Sequence, residues 1–228
     1  GVPPLSFLLT YCVNCNINCL ACTHRTWWPR AERSSHLVLL NKRAILESLE
    51  WLSDWLQQKH PGERFEIVLV GGAALALEGL KDQTVDIDLL SPDPLPEPIR
   101  NGAAHIGRVR KLGPEWINTN VAVMLRQRVP TLPDYFHETS RSVEIGQNLR
   151  VHVIGRQALI SLKLYAASPV VDKHTKDLAQ LAPGRDEIKE AVRFVLSVDG
   201  TGVRRSDLRV ILEKLGFQGH DVLEPTKR

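Results

Sequence analysis

Two carboxylates give the clearest sign of chemistry in this chain. Asp86 and Asp88 stand two residues apart in Thr84–Leu90 (T-V-D-I-D-L-L), a stretch whose composition predicts a β-strand. Side chains alternate along a strand, so an i, i+2 pair projects from one face. The flanking Val85, Ile87, Leu89 and Leu90 are apolar. Two carboxylates held side by side repel each other and are costly without a cation between them. Hard oxygen ligands in that arrangement suit Mg²⁺, which can bridge the phosphates of a nucleotide. The same residues also fit a plainer reading: a solvated acidic strand face, with Asp86 capping a turn.

A second feature precedes the first. Phe65–Val70 (F-E-I-V-L-V) is a short apolar run with β-branched members, as expected of a buried strand, and it runs directly into Gly71-Gly72. Ala73–Leu80 then reads as a short helix. Glycine allows a sharp turn and the close approach of a ligand, and free N–H groups at a helix start favour an anion such as phosphate. On its own, a strand, two glycines and a helix can equally be a tight turn.

Together, Gly71-Gly72, the short helix and the Asp86-Ile87-Asp88 strand resemble the DNA polymerase beta-like nucleotidyltransferase superfamily. Leu159–Ala167 (L-I-S-L-K-L-Y-A-A), followed by His174–Leu181 (H-T-K-D-L-A-Q-L), resembles the C-terminal part of its small prokaryotic toxin–antitoxin and abortive-infection members. The resemblance covers roughly residues 41–198. It implies that Gly71 and Gly72 bind the triphosphate and that Asp86 and Asp88 hold two Mg²⁺ ions. It implies nucleotide-contacting roles for Lys163, Lys176 and Asp177. The implied activity is transfer of a nucleoside monophosphate from a nucleoside triphosphate to a hydroxyl of RNA (tRNA among them) or of a protein, with a toxin–antitoxin role and a cognate antitoxin as partner. The superfamily usually carries a third carboxylate that activates the attacking hydroxyl, and Glu144, in the strand candidate Ser142–Ile145, is the best match. Trp116-Ile117-Asn118-Thr119 resembles a family stretch that often ends in an acid, and here Thr119 stands in that place. This departure supports an alternative: a catalytically weak or inactive protein of the same fold that binds a nucleotide or a partner.

Individual residues also have bland readings. Lys163 fits a phosphate contact or the solvent face of an amphipathic helix, and Asp177 fits a lysine-orienting acid or a first-turn helix acid. His174 is expected at the surface. The basic stretch containing Arg100, Arg108, Arg110, Lys111, Arg126 and Arg128 is expected to be a solvated face rather than an RNA groove.

All four cysteines lie in C-x₂-C-x₃-C-x₂-C, at Cys12, Cys15, Cys19 and Cys22. Two C-x₂-C pairs are what thiolate metal sites use, yet three residues between the pairs is short for a zinc ribbon. A helix would set the four along one stripe and could not close a tetrahedron, whereas a wrapped loop could. The other reading is a poorly structured leader. Residues 1–24 carry no Asp, Glu, Lys or Arg, but Pro3, Pro4, Asn14, Asn16 and Asn18 make a poor membrane span, and a basic n-region for a signal peptide is missing. The chain begins at Gly1, not Met, which reads as a fragment, a trimmed chain or a displaced start.

The elements that must position these residues follow from periodicity. The chain has 228 residues, 43% hydrophobic and 24% charged, with a net charge of +3, which excludes a disordered chain and gives only weak support for nucleic-acid binding. A cysteine-free body fits a reducing, cytoplasmic setting, and no membrane anchor is indicated. Asn41 is expected to cap a helix to about Lys59, stopped by Pro61-Gly62. Residues 95–140, rich in Pro and Gly, read as an irregular middle that mixes short helices with loops. Leu149–Ile154 alternates like a strand. Gly155–Ala167, Lys173–Leu181, Asp186–Val198 and Ser206–Leu215 read as helices. The expected architecture is α+β: a leader over 1–36, a small mixed sheet with flanking helices over 37–155, and a helical region over 156–228.

Overall fold

The structure is a computed structural model, and it describes residues 38–218 and Leu223. The cysteine cluster lies outside the described residues. Helix α1 (Lys42–Lys59) begins where the sequence places it, and the Asn41 side chain accepts a hydrogen bond from the Ala44 N–H at 2.9 Å. Its Ile45, Leu49, Leu52 and Leu56 are fully buried.

The described residues form a mixed α+β fold with eight helices, a five-stranded sheet and a two-stranded ribbon. The ribbon pairs β1 (Leu40–Asn41) with β3 (Gln83–Thr84). The main sheet uses β2 (Phe65–Val70), β4 (Ile87–Ser91), β5 (Ile117–Asn118), β6 (Thr139–Ile145) and β7 (Leu149–Ile154), in the order β5-β4-β2-β7-β6. Strand β2 runs antiparallel to β4 and parallel to β7, so the sheet is mixed. Because the pleat alternates, Ile67, Leu69, Ile87, Leu89, Val151 and Val153 fall on one face, and all six are buried in a single apolar cluster that also contains the α1 residues. The opposite face carries Asp88, Val68, Glu66, His152 and Arg150.

Helix α2 (Gly71–Leu77) follows β2 without a loop. The expected strand over Thr84–Leu90 is divided: Thr84 belongs to the ribbon, Val85 is in a bend, and β4 starts at Ile87. Residues 95–140 are far more regular than their composition suggests. They contain α3 (Glu97–Arg110), α4 (Asn120–Arg128) and a 3₁₀ turn at Asp134–His137. Pro98 stands in the first turn of α3, where a missing N–H costs nothing, and Ile99, Ala103 and Ile106 supply its buried stripe. Gly102 is needed where α3 meets α1, since a Cβ there would stand 2.6 Å from Leu52 Cδ1.

Helices α5 (Arg156–Ala166), α6 (Lys173–Leu181), α7 (Arg185–Val198) and α8 (Gly202–Lys214) complete the fold. Helix α5 packs on α6 and α7. Arg204 of α8 donates to the carbonyls of Leu164, Tyr165 and Ala167, satisfying acceptors left open at the end of α5. The apolar cluster is continuous from Leu40 to Leu212. No helix among the described residues is long and apolar enough to cross a membrane.

Candidate functional site

Register brings the first two sequence features together. Asp88 pairs with Val70, the last residue of β2, so the chain leaves the sheet for α2 beside the Asp88 carboxylate. Gly71 has φ +68°, in the left-handed region that favours glycine, and a Cβ on it would stand 2.5 Å from Asp88 Oδ2. A Cβ on Gly72 would collide with the Thr84 hydroxyl. Both glycines are therefore required by close approach: Gly71 makes room for Asp88, and Gly72 for Thr84.

Asp86 lies one residue before β4 and is half-buried. Burial, followed by the negative charge of Asp86, pushes the Asp88 carboxyl up to about 6. A hydrogen bond from Asn118 and the charges of Lys163 and Lys173 oppose that rise without cancelling it. Asn118 lies level with Asp88 on the parallel neighbour β5. Its own Oδ1 accepts from the Asn120 N–H at 3.0 Å, which turns its amide NH₂ into the donor toward Asp88.

The resemblance singled out Lys163 and Asp177, 14 positions apart on consecutive helices, and the structure joins them. Lys163 of α5 donates to Asp177 Oδ2 of α6 at 2.6 Å, with both side chains buried. Lys81, in the loop after α2, donates to Asp177 Oδ1 at 2.5 Å. Burial works against the ionised Asp177 carboxyl, yet the hydrogen bonds from Lys163 and Lys81 hold it below its usual range. Burial pulls the Lys163 ammonium down, and the neighbouring Lys81 and Lys173 add to that. Lys81 also reaches the glycine corner, since a Cβ on Gly72 would lie 4.0 Å from its Cε. The cluster of lysines thus extends from Asp177 to the start of α2, and its charges reach Asp88.

Several expectations change. Glu144 is not brought to the aspartates. It lies on edge strand β6, is exposed, pairs with Arg150 of β7 at 2.5 Å, and Arg150 in turn is level with Glu66 near the start of β2. Asp88 sits at the other end of β2 and three strands over, about 13 Å along and about 14 Å across by standard strand spacings. Glu144 is therefore set aside as the third carboxylate. Lys176 is exposed on α6 and does not join the lysine cluster. Lys163 is not on a solvent face. His174 is half-buried: burial, then the charges of Lys163 and Lys173, push its pKa down to about 4, and its Nδ1 is buried with no hydrogen-bond partner among the described residues. Among the described residues, no group of three or more His, Cys, Asp or Glu converges to hold a metal.

Three arginines of the basic stretch are taken up locally. Arg110 pairs with Glu47 and lies over the Trp51 ring, Arg126 pairs with Asp93, and Arg128 donates to the Tyr165 hydroxyl. Sequence reasoning missed Lys81, Lys173 and the role of Asn118. Asn118 was within a singled-out segment, but Lys81 sits in a loop with no motif around it, and only the fold reveals it.

Comparison of the chain with protein-family models, with curated proteins and with solved structures finds no match.

Proposed function

We propose that the chain is a metal-dependent nucleotidyltransferase, moving a nucleoside monophosphate from a nucleoside triphosphate to a hydroxyl of RNA or protein and releasing pyrophosphate. The observation that carries this reading is the contact of Gly71 with Asp88, which sets a glycine-opened helix start against a carboxylate pair. Asp86 and Asp88 would hold Mg²⁺. The donor set fits it: burial, then repulsion from Asp86, raises Asp88 to about 6, and a divalent cation between the two hard carboxylates would relieve both. When bound, Mg²⁺ supplies neutralisation of phosphate charge and orientation for in-line displacement.

The chain's own residues contribute the rest. Gly71 and Gly72 would offer backbone N–H groups to phosphate oxygens at a corner where their missing side chains let Asp88 and Thr84 pack close. Lys81 and Lys163 carry positive charge along the same corner, held in place by Asp177. Asn118 orients Asp88. Lys173, exposed at the first turn of α6, adds charge toward Asp88.

A second reading has a specific observation behind it. With Glu144 at the far end of the sheet, no third acid among the described residues joins the pair to activate an acceptor hydroxyl. On this reading the same site binds a metal–nucleotide complex without turnover. Incubation with each labelled nucleoside triphosphate, Mg²⁺, and either total RNA or the protein itself decides between them. Transfer that falls to background in Asp86→Asn/Asp88→Asn supports the transferase. Binding without transfer in the parent supports the second reading. Full transfer by the double variant overturns the assignment.

A further inference from the structure

A cavity of about 600 Å³ opens on the Asp88 face of the sheet. It is floored where β2 and β4 slip register: Val68 stands opposite Ser91, while Leu69 pairs with Leu89, so Leu90 and Ser91 together oppose one residue. Such a bulge bends a strand and re-aims its side chains. Val68, Leu90, Leu125 and Phe136 give the cavity apolar walls, and Asp93 and Arg126 meet at its rim in a 2.7 Å ion pair. Asp93 is largely buried and Arg126 is over half exposed, so the guanidinium keeps N–H groups to offer.

The position of this cavity is what gives it meaning. Along β2, the order is cavity at Val68, then Asp88 beside Val70, then Gly71-Gly72. The cavity and the glycine corner therefore lie on opposite sides of the aspartates, with the cavity about 7 Å from Asp88 along the strand. We propose that the cavity receives a nucleobase, its flat faces against the apolar walls and its polar edge read by Arg126 and Asp93. The proposal rests on the nucleotidyltransferase reading for its choice of ligand. Its volume fits a nucleoside, and a mostly apolar lining with a few placed polar groups is how small-molecule sites are built. The base belongs either to the incoming triphosphate or to the terminal residue of an RNA acceptor.

Binding of tripolyphosphate, the four nucleoside triphosphates, the four free nucleosides and short single-stranded RNA, all with Mg²⁺, tests this. The parent is compared with Thr131→Trp, which plugs the rim, and with Arg126→Ala, an exposed change that spares the core; thermal unfolding checks both folds. The expected result is at least tenfold weaker binding of the base-bearing ligand in both variants, with tripolyphosphate unaffected. If the loss falls on the triphosphates, the base is the donor's; if it falls only on RNA, it is the acceptor's. Saturable nucleoside or RNA binding that both variants weaken, with no tripolyphosphate binding in any protein, keeps the cavity assignment while the phosphate-transfer reading fails. Equal binding of every base-bearing ligand by all three proteins, or no such binding by the parent, overturns the proposal.

Discussion

Asp88 is the residue at which the site's energetics can be read without a substrate. Its carboxyl titrates near 3.8 as an ordinary aspartate and at about 6 in the folded chain, because burial and Asp86 disfavour its charge. A raised carboxyl pKa adds stability below the unfolded value, and that stability is lost as pH rises through the folded value. Between pH 4 and 6, in buffer free of divalent cations, the parent should therefore lose roughly 2 kcal/mol from this group alone. Asp88→Asn keeps the shape and the acceptor for Asn118 and removes the charge. It should be the more stable protein at pH 7 by roughly 2–3 kcal/mol, with a flatter stability profile between pH 4 and 6. Urea unfolding across that range measures it; an Asp88→Asn protein with the parent's slope would show that the carboxylate is not strained. The pair was legible from its two-residue spacing, although only Asp88 lies in a strand. Glu144 was not, because its distance from Asp88 depends on sheet order, which no local pattern in β6 encodes.

At the scale of elements, α5 and α6 act together through one buried carboxylate. Asp177 accepts from both Lys163 and Lys81, and its loss leaves two ammonium groups with no partner in a poorly solvated corner. Asp177→Ala should cost about 3 kcal/mol in urea unfolding at pH 7, since a buried charge without its partner is far more costly than the pair is favourable. Asp177→Ala within about 1 kcal/mol of the parent would mean the lysines reach solvent easily. The helices that carry these groups were legible from their apolar spacing, and α1, α6 and β7 match it closely. Helix α3 was not: Pro98, Gly102 and Gly107 read as breakers, yet Pro98 is in the first turn and the glycines permit close approach of Leu52 and Trp116. Tertiary packing, not local propensity, decides that segment.

For the whole molecule, the net charge of +3 says little. Residues 41–228 carry 26 basic and 25 acidic side chains, and Arg110, Arg126 and Arg128 of the 100–128 stretch meet acids, an aromatic ring or a tyrosine hydroxyl. The charge of the candidate site is local: Asp88 on β4 with Asp86 just before it, and three lysines brought from a loop and two helices by the closing of the fold. Sequence spacing reveals the first set, since its two members are only two residues apart. The second set is assembled across 92 positions, from Lys81 to Lys173, and only the resemblance hinted at part of it. The central claim is that these two sets together bind a metal–nucleotide complex. Isothermal titration of each nucleoside triphosphate into the parent and into Asp86→Asn/Asp88→Asn, with Mg²⁺ and again with EDTA, tests it most directly. Saturable binding that needs both Mg²⁺ and the aspartates is the result expected. Binding unchanged by EDTA or by the double substitution, or no binding of any of the four triphosphates, would contradict it.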